Sequence, residues 1–292
     1  MKNSTDWTDP SAVAELLIKN ALAEDEALND VATGALAGCA MMPVVCRVNT
    51  REILVAAGID LAGIVFSLLP GGAVVQSEVE EGSIVLPGET LARIHGPVSS
   101  VLRGERVFLN ILGRLCGIAT KTAEFVRICE GTGVEILDTR KTTPGMRALE
   151  KYAVRVGGGT NHRFSLADMA MLKDNHIAAA GGIQFLKPVM DRIRSAGVPI
   201  EIEVDSLQQL QSVVPLGPQR ILLDNMTAAE LLEAVRIAGN SGIYLEASGG
   251  ITAETVRAVA ETGVNGISVG MLTHSVKSSD IGLDWYHSEE FV

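Results

Sequence analysis

The sequence of 292 residues predicts an α/β protein, and its length favours two domains or one large barrel with an addition. From Gly133 onward, short apolar strands alternate with helical stretches, as in a series of βαβ units. Polar residues follow nearly every one of these strands, and in a parallel barrel such strand ends meet at one rim. The first hundred residues combine a helix with short strands and indicate a smaller α/β layer.

The elements of this first layer follow from the spacing of apolar residues. Residues 11–23 have apolar side chains at helical spacing and predict an amphipathic helix. Strands are predicted over residues 43–48, 73–79 and 88–94. The apolar stretch 54–69 fits either a strand or a helix. Residues 98–129 predict a helix with a break at Gly117.

The second part contains six recognisable strands. They are predicted over residues 134–137, 170–172, 200–204, 221–223, 243–245 and 266–269. A full barrel of this kind has eight strands, so either the barrel is incomplete or one or two strands have escaped recognition.

The composition describes a folded protein with an acidic surface. Hydrophobic residues make up 47% of the chain, and charged residues make up only 20%. This is too apolar for a disordered protein. The net charge of −11 opposes binding to nucleic acid or to an anionic membrane, so neither partner is expected.

The charge is unevenly distributed along the chain. The segment 93–173 contains 13 of the 24 Lys and Arg residues but only seven acidic residues. A cationic segment within an acidic chain favours a small, multiply charged anion bound in a pocket. Solvated helix faces are the alternative interpretation.

The polar start of the chain lacks the apolar core of a signal peptide, and we expect a cytoplasmic protein. Cys39, Cys46, Cys116 and Cys129 form no CxxC pair. Neither a zinc site nor a disulfide framework is indicated, and buried reduced thiols are expected.

Charged motifs at the strand ends are the candidates for chemistry. In residues 138–145, Arg140 and Lys141 directly follow a strand, and an anion would relieve the repulsion between them. A solvated strand end is the alternative interpretation of this pair. Three consecutive glycines precede His162 and Arg163. Lys173 ends an apolar strand, where a lysine is either functional or paired for structural reasons.

Two acidic residues and two glycine turns complete these candidates. Glu203 and Asp224 lie near the ends of successive strands, where they serve as catalytic groups or as partners of nearby cations. Residues 248–252 and 268–271 follow the last two strands and precede helices, an arrangement that binds phosphate. The histidines show no zinc-binding spacing.

These motifs, in this order, resemble the quinolinate phosphoribosyltransferase family of type II phosphoribosyltransferases. The resemblance covers some two-thirds of the chain. It rests on segments 105–110, 117–120, 138–145, 147–153, 161–163, 173–176, 203–205, 223–226, 246–251 and 268–270. So many distinct motifs in one order make a chance match implausible.

The resemblance implies an N-terminal α/β sandwich over residues 1–113 and an incomplete, TIM-like α/β barrel over residues 114–274. The tail 275–292 is expected to pack back on the sandwich. The family forms a homodimer with a shared active site, and a larger oligomer stays open. The implied reaction transfers phosphoribose from phosphoribosyl pyrophosphate (PRPP) to quinolinate with decarboxylation, and gives nicotinate mononucleotide for NAD synthesis.

The resemblance also assigns roles to individual residues. It places Arg140, His162, Arg163 and Lys173 at the quinolinate carboxylates, and Arg106 in the partner's site. Lys141, Glu203 and Asp224 fall on catalytic positions around the ribose and pyrophosphate. The remaining substrate-binding positions are Thr139, Ser248, Gly249, Gly250, Gly270 and His274. Mg²⁺ arrives with PRPP near Glu203 and Asp224, without a metal site made by the protein alone.

Two other functions fit the same residues. One is a barrel lyase that forms a Schiff base through Lys141 or Lys173. The other is a binding protein on the same scaffold, such as an accessory homologue associated with molybdate transport, because a fold alone does not establish activity.

Overall fold

The computed structural model describes residues 5–286, which divide into two compact units. The helices are α1 Pro10–Glu24, α2 Val31–Ala35, α3 Ile59–Ser67, α4 Val98–Ile128, α5 Arg147–Val156, α6 Asp174–Ala180, α7 Leu186–Ser195, α8 Leu207–Val213, α9 Ala228–Ala238, α10 Val256–Ala260 and α11 Met271–His274. The strands are β1 Pro43–Thr50, β2 Leu54–Val55, β3 Val74–Ser77, β4 Ile84–Val85, β5 Thr90–Pro97, β6 Glu135–Leu137, β7 Ala170–Leu172, β8 Ile200–Val204, β9 Arg220–Asp224, β10 Tyr244–Ser248, β11 Gly266–Ser268 and β12 Ile281–Tyr286.

Among the described residues, the first unit contains 5–123, 142–158 and 272–286. Its antiparallel sheet has the order β12-β1-β5-β3, and β2 pairs separately with β4. Cys46 and Val48 of β1 and Ile94 of β5 are fully buried, as the alternation of a half-buried strand requires. Gly63 of α3 lies against Val75 of β3, so the helix covers this apolar face.

The second unit contains residues 124–141 and 159–271. All neighbouring strands of its sheet are parallel, in the order β6-β11-β10-β9-β8-β7. Thr160 forms an isolated bridge to Leu137, on the side of β6 that faces away from β11. Within the described residues, no ladder joins β6 to β7. The prediction of six parallel strands in an incomplete barrel is therefore confirmed.

The boundaries of the units differ from those expected from the sequence. The expected boundary at residue 113 falls inside α4, and residues 142–158 belong to the first unit. The sequence patterns missed β12, which pairs with β1 through Val48 and Leu283 among others. The last residues of the expected tail, 287–292, lie outside the described residues. Among the described helices, none combines the length and the apolar character that a membrane crossing requires.

The predicted break at Gly117 is wrong, because α4 continues through this residue. Its neighbours Leu115 and Ile118 are fully buried, and such packing outweighs the weak helix propensity of one glycine. A Cβ atom on Gly117 would lie 2.2 Å from the carbonyl oxygen of Lys277. The glycine therefore permits a close backbone approach, and Ser279 N–H donates to the Gly113 carbonyl at 2.9 Å nearby.

Two other expectations need correction in detail. The ambiguous stretch 54–69 contains both β2 and α3, which begins after Gly58 at φ +81°. A positive φ at this glycine lets the chain turn from strand into helix. Three cysteines are buried as expected, but Cys39 is exposed, because it lies in a short 3₁₀ turn with no buried residue.

We expect Gly117→Ala to lower the free energy of unfolding by about 1–3 kcal/mol, because the added methyl group overlaps the Lys277 carbonyl. Gly34→Ala is the matched control, since Gly34 lies in α2 and a Cβ atom added there would meet no atom within 4 Å. This control should be neutral or stabilising by up to about 1 kcal/mol. Urea unfolding measures both variants, and a Gly117→Ala protein as stable as the unaltered chain would contradict the close approach.

Candidate active site

A cavity of about 590 Å³ lies at the carboxyl ends of the parallel strands in the second unit. Eleven residues that the sequence singled out line it: Thr139, Arg140, Lys141, His162, Arg163, Lys173, Glu203, Asp224, Ser248, Gly249 and Gly250. The parallel topology explains this gathering, because residues that follow different strands meet at one rim. Residues 139–141 follow β6, Lys173 follows β7, and Glu203 lies near the end of β8.

Three of the proposed site residues do not line this cavity. Gly270 lies between β11 and α11. Arg106 and His274 belong to the first unit, where Arg106 lines a separate cavity of about 610 Å³. His274 Nδ1 lies 2.6 Å from the hydroxyl of Ser275.

Cationic side chains occupy one part of the cavity. Burial lowers the pKa of Arg163, and the positive charge of Arg140 lowers it further. An anion between these guanidinium groups would offset their repulsion. Arg163 is also held in place, since its Nη1 donates to the Met169 carbonyl at 2.9 Å. The backbone N–H of Lys141 donates to the Thr139 hydroxyl at 3.0 Å.

Carboxylates occupy another part of the cavity. Lys173 forms an ion pair with Glu203, so both alternatives for this lysine, functional and paired, remain compatible with its position. Asp224 accepts a hydrogen bond from the Asn225 amide at 2.8 Å. Glu203 and Asp224 thus present negative charge at the ends of neighbouring strands.

The turn after β10 brings backbone close to the cavity. Gly249 has φ +98°, and a Cβ atom there would lie 2.1 Å from the side-chain oxygen of Asn225. Gly250 also has a positive φ, but a Cβ atom on this residue would meet no atom within 4 Å. Asn225 N–H donates to the Ser248 carbonyl at 2.8 Å and fixes the turn from the neighbouring strand. Glycines in such turns allow backbone N–H groups to approach a phosphate.

Four lining residues were missing from the predicted site, Met171, Leu222, Asn225 and Glu246, while a fifth, Ser268, belongs to the predicted turn 268–271. Glu246 is part of a buried cluster with His162 and Glu201. His162 Nε2 lies 3.1 Å from a Glu201 oxygen and 3.3 Å from a Glu246 oxygen. An acidic residue inside an otherwise apolar strand was the sequence signal for both glutamates, since carboxylates are rarely fully buried without a partner.

The charges in this cluster depend on one another. Burial lowers the pKa of His162, but hydrogen bonding to Glu201 and Glu246 and their charges raise it to about 9. Burial raises the pKa of Glu201. For Glu246, the effect of burial is outweighed by hydrogen bonds from His162 and Ser268 and by the charge of Arg220, which lower its pKa.

The second ring nitrogen of His162 constrains what the cluster can do. His162 Nδ1 accepts the backbone N–H of Arg163 at 2.8 Å, which opposes a second proton on the ring. With Nδ1 as the acceptor, the ring proton lies on Nε2 and faces the two carboxylates.

The fold and the cavity define a class of protein, an incomplete α/β barrel with a charged cavity at the carboxyl ends of its strands. The chain belongs to the quinolinate phosphoribosyl transferase family. The family's C-terminal domain matches residues 118–284, and its N-terminal domain matches residues 30–116.

Relatives and solved structures agree with this assignment. The chain is 44% identical over 239 residues to a nicotinate-nucleotide pyrophosphorylase [carboxylating] of Mycobacterium leprae, which covers 80% of this chain and 84% of the relative. It is 36% identical to the chloroplastic enzyme of that name from Arabidopsis thaliana, over 94% and 83% of the two chains. The nicotinate-nucleotide pyrophosphorylase structure from Francisella tularensis superposes with a TM-score of 0.89 at 33% identity, over 97% and 100% of the two chains.

We expect Gly249→Ala to destabilise the protein more than Gly250→Ala. Both substitutions place a side chain at positive φ, which costs about 1–3 kcal/mol. Only the methyl group at residue 249 also collides with Asn225. Urea unfolding of the two variants measures the difference, and equal losses would contradict the close contact between the turn and Asn225.

Proposed function

We propose that this chain transfers phosphoribose from PRPP to quinolinate and releases pyrophosphate and carbon dioxide. The product is nicotinate mononucleotide, a precursor of NAD. The observation that carries this proposal is a single cavity that combines two guanidinium groups, Lys173 and two strand-end carboxylates with a glycine turn. Quinolinate is a dicarboxylate and PRPP carries phosphate groups at both ends, so their binding requires such cationic and N–H donors.

Arg140, Arg163 and Lys173 bind the two carboxylates of quinolinate in this proposal. Guanidinium groups suit this task because they can donate two parallel hydrogen bonds to one carboxylate. Burial and the charge of Arg140 both lower the pKa of Arg163, and an anion that enters between the two guanidinium groups would offset their repulsion. A site with this much positive charge favours quinolinate over nicotinate, which has one carboxylate fewer.

The groups around the ribose and pyrophosphate act on the reaction itself. The pyridine nitrogen attacks the anomeric carbon while the bond from that carbon to pyrophosphate breaks. Positive charge grows on the ribose ring, and Glu203 and Asp224 stabilise it. Lys141 offsets the negative charge on the departing pyrophosphate, and the turns at Ser248, Gly249, Gly250 and Gly270 bind phosphate.

Decarboxylation follows from the chemistry of the product of this transfer. Once the pyridine nitrogen carries the ribose, it is cationic and stabilises the electron pair left when the adjacent carboxylate departs as carbon dioxide. The ring carbon then takes up a proton. The protein needs no separate electron-accepting cofactor for this step.

Mg²⁺ is the metal ion implied for this reaction, and the residues present fit it. Glu203 and Asp224 line the cavity, and carboxylate oxygens together with substrate phosphates are the usual ligands of Mg²⁺. When bound with PRPP, the ion supplies positive charge for the leaving pyrophosphate.

The alternatives receive less support. A Schiff-base lysine must be free to attack a carbonyl carbon, whereas Lys173 is engaged in an ion pair with Glu203. The relatives named above are pyrophosphorylases by name, which favours the transferase over a binding protein on the same scaffold.

A homodimer in which Arg106 completes the partner's site is part of the proposal, whereas a cytoplasmic location stays a prediction.

The proposed reaction predicts carbon dioxide release from carboxyl-labelled quinolinate only when PRPP and Mg²⁺ are both present. Arg163→Ala should lower kcat/KM for quinolinate by roughly 10- to 100-fold, because a charged hydrogen-bond donor is lost. Arg192→Ala is the matched control, since Arg192 is exposed on α7. Release without PRPP, or equal rates for Arg163→Ala and Arg192→Ala, would count against the proposed site.

A mixing experiment tests the shared site. Arg106→Ala and Lys141→Ala proteins should each be inactive, because each lacks a group in every site. After subunit exchange, roughly a quarter of the unaltered activity should return, since half of the dimers are mixed and each has one intact site. If Arg106 acts within its own subunit, every site in the mixture remains defective and no activity returns.

A further inference from the structure

Two glutamates lie inside the six-stranded sheet, where a barrel interior is normally filled by apolar side chains. Glu201 of β8 and Glu246 of β10 are both 0% exposed. Glu203, two residues beyond Glu201 on the same face of β8, lines the cavity. Glu201 therefore lies one layer below the rim, and the proposed reaction gives it no task. A buried carboxylate at such a place destabilises the fold unless it is paired with a cationic group or hydrogen-bonded.

The contacts of the two glutamates converge on one ring. Glu201 lies 3.1 Å from His162 Nε2, and Glu246 lies 3.3 Å from the same atom. Glu246 has two more partners, the Ser268 hydroxyl and Arg220 Nη2 at 3.3 Å. Glu201 forms its ion pair with His162. The position of the Glu201 carboxylate therefore matters most for the orientation of the His162 ring.

The ring passes this constraint on to the next residue. The backbone N–H of Arg163 donates to His162 Nδ1 at 2.8 Å, while the backbone N–H of His162 donates to buried Asp138 at 2.8 Å. The two ring nitrogens thus face the glutamates and the Arg163 backbone. The guanidinium group of Arg163 lies in the cavity, where the quinolinate carboxylates are proposed to bind.

We infer that Glu201 is a positioning residue that, together with Glu246, fixes the ring of His162 and through it the backbone of Arg163. The effect on catalysis rests on the proposed function, but the contacts that lead from Glu201 through His162 to Arg163 do not. A small displacement of a substrate-binding group is enough to weaken binding strongly, which gives the buried pair a role in substrate affinity.

Three substitutions of Glu201 separate orientation from charge. Glu201→Gln keeps the length and one oxygen acceptor but removes the charge. Glu201→Asp keeps the charge but withdraws the oxygens by one methylene group. Glu201→Met keeps the length and has neither acceptor nor charge. Glu233→Gln is the matched control, since Glu233 is exposed on α9 and pairs with exposed Arg236 on the same helix.

The first readout is steady-state kinetics with both substrates. Glu201→Gln should keep KM for quinolinate within about 3-fold, while Glu201→Asp and Glu201→Met should raise it by roughly 10-fold or more. KM for PRPP should change by less than about 2-fold in all variants. Calorimetric titration with quinolinate should give the same order of affinities as the KM values. Glu233→Gln should behave like the unaltered protein.

The second readout needs neither substrate nor activity. Amide hydrogen exchange at Arg163 should be slow in the unaltered protein and in Glu201→Gln, and at least about 10-fold faster in Glu201→Asp. This measurement separates the two ideas: if the unaltered protein released no carbon dioxide, the proposed function would fail while the positioning of Arg163 could still be measured.

Other outcomes would overturn the inference. An aspartate variant that binds quinolinate better than the glutamine variant would mean that charge, and not orientation, is what Glu201 supplies. Equal increases of both KM values, or a loss of stability with unchanged KM and unchanged exchange at Arg163, would indicate a merely structural role. Should Glu201→Met fail to fold, the comparison of Gln with Asp decides the matter alone.

Discussion

Charge removed from water at the ends of parallel strands is the constraint on which this structure depends. The strands of the second unit all deliver polar side chains to one rim, and the low dielectric of the surroundings makes each charge there sensitive to its neighbours. Arg140 lowers the pKa of Arg163, and the carboxylates of Glu201 and Glu246 raise that of His162. The rim therefore suits ligands whose negative charge offsets the positive charge of the guanidinium groups.

The cavity is rich in positively charged side chains, whereas the whole chain is acidic. The protein carries a net charge of −11, yet its cavity contains two guanidinium groups and two lysine ammonium groups. An acidic exterior weakens nonspecific attraction to long polyanions, while a cationic pocket still attracts small anions. In the layer below, Glu201 and Glu246 are paired with His162 and Arg220, so negative and positive side chains lie together beneath the cationic rim.

Much of the second unit could be predicted because its signals are local. The six strands followed from short apolar runs, and the candidates at their ends followed from parallel topology, which places Arg140, Lys173 and Glu203 in one cavity. The contribution of Glu201 could not be predicted this way. Its environment depends on which residue lies across the barrel, and His162 comes from a segment almost forty positions earlier in the chain.

The first unit shows the opposite limit. The low helix propensity of Gly117 predicts a break, but its buried neighbours keep α4 continuous. The glycine instead permits a close approach of the Lys277 backbone, 160 residues further along the chain. The exposure of Cys39 follows from a short turn that no periodic pattern reveals. Tertiary packing decides such positions, and spacing along the chain carries little information about it.

The bridge between Thr160 and β6 has a consequence for how ligand and fold influence each other. The same short stretch of backbone that covers the open flank of β6 continues directly into His162 and Arg163. In the proposed function, an anion bound by Arg163 would therefore also stabilise the neighbouring bridge between Thr160 and Leu137, because a ligand that binds only the folded arrangement stabilises that arrangement.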